Sequence, residues 1–245
     1  MEKRGLSAYL AELVGTFLLV LFVALIVSVY ARGGISTPEF AAIGLLHAFV
    51  LMMLISTLGG VSGAHFNPAV TLGLAAARKI RPGEALVYVG VQVVGAIAGA
   101  ALAKLVLDEL PGGPNLGNVS VSSLLAGKTL LGALCELIGT FALVWAIMGV
   151  AVNPRANPDW AGWVIGATLG FGVLVFAPLT GAGLNPARSL GPAIVEGEFI
   201  GGFGKFVVVY LVGPGLGGLL AAIGYKLLVL DPADRAGGRP VDVLP

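Results

Sequence analysis

The chain has 245 residues, of which 57% are hydrophobic and only 11% charged, against about 25% charged in a soluble domain. Its net charge of +1 gives no basis for nucleic-acid binding. The single cysteine, Cys135, excludes an intramolecular disulfide and reads as a small apolar side chain within a span.

Apolar runs of about 20 residues are long enough to cross a bilayer as helices. Six such runs are predicted, near 8–30, 40–58, 85–107, 129–152, 161–178 and 204–230. Two shorter apolar pieces, 67–77 and 186–195, cover only about half of a ~30 Å hydrocarbon core. The first span follows Lys3-Arg4 and exceeds a signal-peptide core, so no cleavable leader is expected. Residues 108–128 form the one long loop, and Asp231 to Pro245 read as a polar inner tail.

Each short piece follows the tripeptide Asn-Pro-Ala: Asn67-Pro68-Ala69 and Asn185-Pro186-Ala187. Asn is a preferred helix N-cap and Pro is preferred at the first helical position, so each copy reads as a helix start. The copies lie 118 residues apart (185 − 67), and Gly95 and Gly99 match Gly213 and Gly217 at the same spacing. Glu12-Leu-Val-Gly15-Thr16-Phe17 recurs as Glu136-Leu-Ile-Gly139-Thr140-Phe141, 124 residues on. Each half holds three full spans, an odd number, so the halves enter the membrane from opposite sides. The expectation is an all-α membrane protein with six transmembrane helices and two re-entrant half-helices, an inverted repeat around a central pore. It is read as a single channel domain over 1–245, with halves of about 8–107 and 129–230.

With both termini inside, the inner side holds Lys3, Arg4, Arg78, Lys79, Arg81, Arg155, Lys226, Arg235 and Arg239. The outer side holds Arg32, Lys104, Lys128 and Lys205. Nine cations against four favour that orientation.

A helix that starts within lipid leaves up to four backbone N–H groups unpaired, which is tolerated only inside protein or beside a water-filled cavity. Two starts from opposite sides bring two positive dipole ends to one spot. A neutral hydrogen-bonding solute is accepted there, and a cation is disfavoured. The bland alternative is a pair of capped re-entrant helices with no conduit.

These motifs, with Ser62-Gly-Ala-His65-Phe-Asn-Pro-Ala-Val-Thr71 and Asn-Pro-Ala-Arg188-Ser189 around them, resemble the aquaporin (major intrinsic protein) family over about residues 8–230. The resemblance implies a passive channel for water and small neutral solutes that excludes protons and ions, assembled as a homotetramer in a lipid bilayer. A plasma (inner) membrane with both termini cytoplasmic is expected, with no cofactor and no metal. It also implies a selectivity filter outside the Asn pair. Counted from the two Asn residues, its positions are His47, Val173, Ala182 and Arg188.

Arg188, an Arg deep in an apolar chain, either faces water or snorkels to the outer surface. His47 sits mid-span, where a lone His is more often a satisfied interior group. The set His47, Val173, Ala182 and Arg188 resembles the filters of plant vacuolar-membrane (tonoplast) aquaporins, which pass water and often ammonia, urea or hydrogen peroxide. Ser189, rather than the Asp of glycerol-type relatives, argues against a glycerol facilitator. Leu211, where water-type members have Trp, weakens that exclusion. Glu12 and Glu136 read as acceptors for the re-entrant loops, with a proton relay as the alternative. His65 is expected to hydrogen-bond locally.

Two rival classes exist. Gly60-Val-Ser62-Gly63 matches the Gly-x-Ser-Gly of intramembrane serine proteases, but no nucleophile, base and orienting group form a recognisable set. An ion-coupled secondary transporter also uses inverted repeats and broken helices, yet normally needs an ionisable group at the midplane.

Overall fold

The computed structural model describes residues 5–31, 36–111 and 113–232. Lys3, Arg4, Arg32, Arg235, Arg239 and the tail from residue 233 lie outside the described residues. Among the described residues eight helices follow in order, besides a single 3₁₀ turn at Ser123–Leu125: α1 (Leu6–Tyr30), α2 (Thr37–Ser62), α3 (Pro68–Ala76), α4 (Pro82–Val106), α5 (Thr129–Val152), α6 (Pro158–Thr180), α7 (Pro186–Glu196) and α8 (Phe203–Leu230). The six long ones, of 23 to 28 residues, are apolar enough to cross a membrane. α3 and α7, of 9 and 11 residues, are not long enough.

Local chemistry sets the boundaries. Ser36 and Glu39 form a reciprocal capping box at the start of α2. α2 and α6 both end on a left-handed glycine, Gly63 and Gly181. Wide, π-type turns close α5 at Met148–Val152 and interrupt α8 at Val207–Val212 and Lys226–Leu230.

Packing follows the repeat. α1 packs on α4 as α5 packs on α8, and α1 meets α2 as α5 meets α6. Each short helix lies on the last long helix of the other half, α3 on α8 and α7 on α4. α2 and α6 pack on each other. The outward faces carry Leu10, Leu86, Leu105, Leu130, Phe171 and Leu228, all largely exposed. That apolar exterior suits hydrocarbon rather than water. Cys135 is half-buried on α5.

One expectation about register needs correction. By contact, Gly95 is equivalent to Gly217, not to Gly213. The Cα of Gly95 lies against the Leu13 carbonyl, and that of Gly217 against the Leu137 carbonyl. Leu13 and Leu137 are themselves 124 residues apart, like Glu12 and Glu136. The true offset between α4 and α8 is therefore 122 (217 − 95). Tyr88 and Tyr210, also 122 apart, make matching hydrogen bonds to the Ser62 and Thr180 carbonyls, each 2.8 Å. The physical reason is the glycine spacing. Small residues every four positions present the same flat face one turn later, so matching glycines alone selects 118, where both pairs coincide, although the packed offset of 122 pairs only Gly95 with Gly217 and sets Gly99 against Ala221.

Candidate functional site

The site begins with two turns of unusual backbone. After α2 the chain runs through Gly63, Ala64 and Phe66 at φ of 87°, 50° and 46°. After α6 it runs through Gly181, Ala182 and Leu184 at 78°, 48° and 50°. A left-handed non-glycine residue costs on the order of 1–3 kcal/mol, so something must hold these turns.

Glu12 and Glu136, both fully buried, hold them. The Glu12 carboxylate accepts from Ser62 Oγ (2.7 Å), His65 N (2.9 Å), Phe66 N (2.7 Å) and Gln92 Nε2 (2.7 Å). Glu136 accepts from Thr180 Oγ1 (2.7 Å), Gly183 N (2.9 Å) and Leu184 N (2.6 Å). The halves differ at one donor. Gln92 in α4 corresponds, at offset 122, to Pro214 in α8, which has none. Neither carboxylate lines the central cavity. Each is saturated by the turn behind which it sits.

Asn67 and Asn185 then start the short helices. Asn67 Oδ1 caps Ala69 N at 2.9 Å, and Asn185 Oδ1 caps Ala187 N and Arg188 N at 3.0 and 3.2 Å. Their amides cross the repeat. Asn67 Nδ2 donates to the Leu184 carbonyl (2.9 Å), and Asn185 Nδ2 donates to the Phe66 carbonyl (2.8 Å). Each amide nitrogen has two N–H groups, so one remains on each after the cross-tie. Pro68, Ala69, Pro186 and Ala187 are buried in the first turns of α3 and α7.

A narrow cavity runs past both Asn residues. His47, Val173, Ala182 and Arg188 all line it, together with Asn67 and Asn185. About 60 Å³ of it is open to the centres of water molecules. One water needs at least roughly 10–15 Å³ of such space, so the cavity is large enough to admit water. The wall is mostly apolar, with Leu19, Leu143 and Ile165 among its residues.

Arg188 is 94% buried and does not snorkel, with relative exposure of 6%. Its Nη1 donates to the Gly117 carbonyl at 2.7 Å. Gly117 has φ of +75°, and a Cβ there would meet Arg188 Nη2 at 3.2 Å, so only glycine fits comfortably. His47 Nδ1 lies 2.7 Å from the Ile43 carbonyl. A carbonyl only accepts, so Nδ1 carries the hydrogen, and in the neutral ring Nε2 is left as an acceptor. The cavity wall therefore carries a fixed donor at Arg188 and an acceptor at His47.

His65 also lines the cavity, with Nδ1 3.1 Å from Thr71 Oγ1 and its ring edge-on to Tyr88. Its counterpart is Gly183, where a Cβ would come 2.5 Å from Ser189 Oγ. Leu211 packs beside the outer apolar cluster of Val119, Phe206 and Tyr210 rather than on the cavity. Sequence reasoning missed Gln92, Tyr88, Tyr210 and Gly117. The matched tyrosines were visible only once the offset of 122 was known, and Gly117 carries no local signal at all.

The chain matches the family described as Major intrinsic protein over residues 2–225. It belongs to the major intrinsic protein family. It is similar to "Glycerol uptake facilitator protein-like 6" of Lactiplantibacillus plantarum, with 37% identity over 87% of this chain and 94% of that one. It is also similar to "Aquaporin AqpM" of Methanothermobacter marburgensis, with 34% identity over 91% and 97% of the two chains. Its fold matches the X-ray structure of the aquaglyceroporin from Plasmodium falciparum at a TM-score of 0.78 and 23% identity, over 94% and 98% of the two chains.

Members of the major intrinsic protein family are passive channels in membranes, not enzymes. The geometry around Ser62 agrees with that. Its hydroxyl donates to Glu12 and accepts from Ala64 N at 3.0 Å, so it serves the turn.

Proposed function

We propose that this channel conducts water and at least one small neutral solute among ammonia, urea, hydrogen peroxide and glycerol, and that it excludes protons and ions. The observation that carries the reading is one continuous cavity lined by His47, Val173, Ala182 and Arg188 together with Asn67 and Asn185. Arg188 donates to a solute oxygen or nitrogen, and its fixed charge adds to the two helix N-termini as a barrier to cations. His47 accepts from the same solute. Val173 and Ala182 are small, which leaves room for a molecule wider than water. Glu12, Glu136 and His65 support the loops that hold the two Asn residues.

Stopped-flow measurements on proteoliposomes test this with water, urea, ammonia, hydrogen peroxide and glycerol. His47→Phe removes the acceptor and fills the space, so solute flux falls while water flux persists. Unchanged selectivity in that variant would remove His47 from the filter. Water flux in the wild type without flux of any other solute would sink the wider range.

Glycerol has support of its own. The relative from Lactiplantibacillus plantarum carries glycerol in its name. The family resemblance further supports a homotetramer in a plasma (inner) membrane, and the excess of inner cations supports both termini on the cytoplasmic side. Protease accessibility of a C-terminal tag on sealed vesicles tests the orientation.

A further inference from the structure

We infer that Glu196 is a positioning residue for the Arg188 guanidinium, acting through the loop that carries Gly117. The inference rests on the filter role proposed for Arg188.

Arg188 stands in the first turn of α7, and Glu196 is the last residue of that helix. Eight residues at 1.5 Å rise separate them by about 12 Å along the axis. Glu196 therefore cannot touch the guanidinium directly. The loop that passes above supplies the link. Arg188 Nη1 donates to the Gly117 carbonyl at 2.7 Å. Glu196 grips the residues on either side of Gly117. Its Oε1 accepts from Leu116 N at 3.3 Å, and its Oε2 accepts from Asn118 Nδ2 at 2.8 Å.

The rest of the loop is fastened as well, but not at this carbonyl. Ser28 Oγ donates to the Asn115 carbonyl at 2.6 Å, and Gly117 N donates to Asn115 Oδ1 at 3.0 Å. Leu116 and Val119 are fully buried plugs. The Gly117 carbonyl belongs to the peptide unit that ends at Asn118. Its direction depends on Asn118, which donates a second time to the Glu198 carbonyl at 3.0 Å. Gly117, at positive φ and without a side chain, has little torsional resistance of its own. Without Glu196 the Asn118 amide keeps only its bond to the Glu198 carbonyl, so the peptide turns more readily and the acceptor for Arg188 is held less firmly.

The consequence is for selectivity. A guanidinium whose anchor is held less firmly samples more orientations, and the filter becomes wider and less discriminating. A neutral solute reports this cleanly, because the charge lost in Glu196→Gln does not act on it at long range.

The test measures the urea-to-water permeability ratio in proteoliposomes for Glu196→Gln, Arg188→Val and the double variant. Glu198→Gln, whose site uses only the backbone, serves as the control and leaves the ratio unchanged. The expected result is a rise of about fivefold for Glu196→Gln, matching the net worth of one hydrogen bond. In the Arg188→Val background Glu196→Gln adds nothing, because the two act in series.

An equal rise in both backgrounds would assign Glu196 a general structural role and overturn the inference. No rise in the wild-type background would overturn it too. Should Arg188→Val itself leave the ratio unchanged, the filter reading fails first and takes this one with it. If Glu196→Gln does not fold, Asn118→Ala tests the same link and shows the same dependence on Arg188.

Discussion

The side chain of Asn67 donates to the carbonyl of Leu184, 117 residues further along the chain. The reciprocal bond runs from Asn185 to Phe66. The two helix starts thus hold each other, and each Asn is both a cap and a cross-tie. The bonds are not equally replaceable. The Leu184 carbonyl also accepts from Thr140 Oγ1 at 3.4 Å, and Asn185 caps two backbone N–H groups where Asn67 caps one. Asn185→Leu is therefore the more damaging change. Loss of a cap costs about 1 kcal/mol, and a stranded buried carbonyl about 1–3 kcal/mol more. Thermal unfolding in detergent should show Asn185→Leu melting below Asn67→Leu, and both below the wild type.

The Glu12 and Glu136 sites differ by one donor, and that difference predicts a graded series. Gln92→Leu takes one of four hydrogen bonds from Glu12 and leaves it with three, the number Glu136 accepts. The protein tolerates three in its second half, so Gln92→Leu should cost only about 1–3 kcal/mol and keep water flux within a few-fold of wild type. Glu12→Gln and Glu136→Gln place an amide donor against backbone N–H donors, and both should lose most of their flux. Stopped-flow rates normalised to reconstituted protein check the order. Gln92 Nε2 also donates to Thr71 Oγ1 at 3.0 Å, so Gln92→Leu as damaging as Glu12→Gln would mean that this second bond matters as much as the first.

Lipid made the fold legible in the sequence. A span must be long, apolar and helical, because hydrocarbon satisfies no backbone group. Six runs could therefore be counted, and the edges fell within four residues of the helices seen. The two half-helices announced themselves through Asn-Pro because caps are chemical signals. The register of α4 against α8 was not legible, since glycine identity matches both pairs at 118, whereas the packed offset of 122 pairs only Gly95 with Gly217 and sets Gly99 against Ala221. In the site, residues fixed by distance from Asn67 and Asn185 could be counted onto one cavity. Gly117 and Glu196 could not. They meet Arg188 and the outer loop through tertiary folding alone, with no periodicity to mark them.

The matched tyrosines test the repeat at the level of single bonds. Tyr88 and Tyr210 each donate to the carbonyl of the residue that ends the preceding span, Ser62 and Thr180. Tyr88→Phe and Tyr210→Phe should each lower stability by about 1 kcal/mol. The sites lie in different halves and donate to different carbonyls, so the double variant should add to within about 0.5 kcal/mol. Denaturant unfolding of the three variants measures this, and strong coupling between them would show that the turns communicate.

Glycine substitutions in α8 test its close crossing with α5. A Cβ on Gly217 would strike the Leu137 carbonyl and come within 3.0 Å of Phe141 N, both rigid backbone. A Cβ on Gly215, two residues earlier in the same helix, meets nothing within 4 Å. Gly217→Ala must push α8 away from α5, whereas Gly215→Ala gains helix propensity of about 1 kcal/mol without a clash. Gly95→Ala, the counterpart of Gly217→Ala at offset 122, meets the Leu13 carbonyl in the same way. Gly95→Ala and Gly217→Ala should therefore be lowered alike in folded yield and melting temperature, while Gly215→Ala matches or exceeds the wild type. A tolerated Gly217→Ala would place the close crossing elsewhere along α8 and reopen the assignment of the two halves.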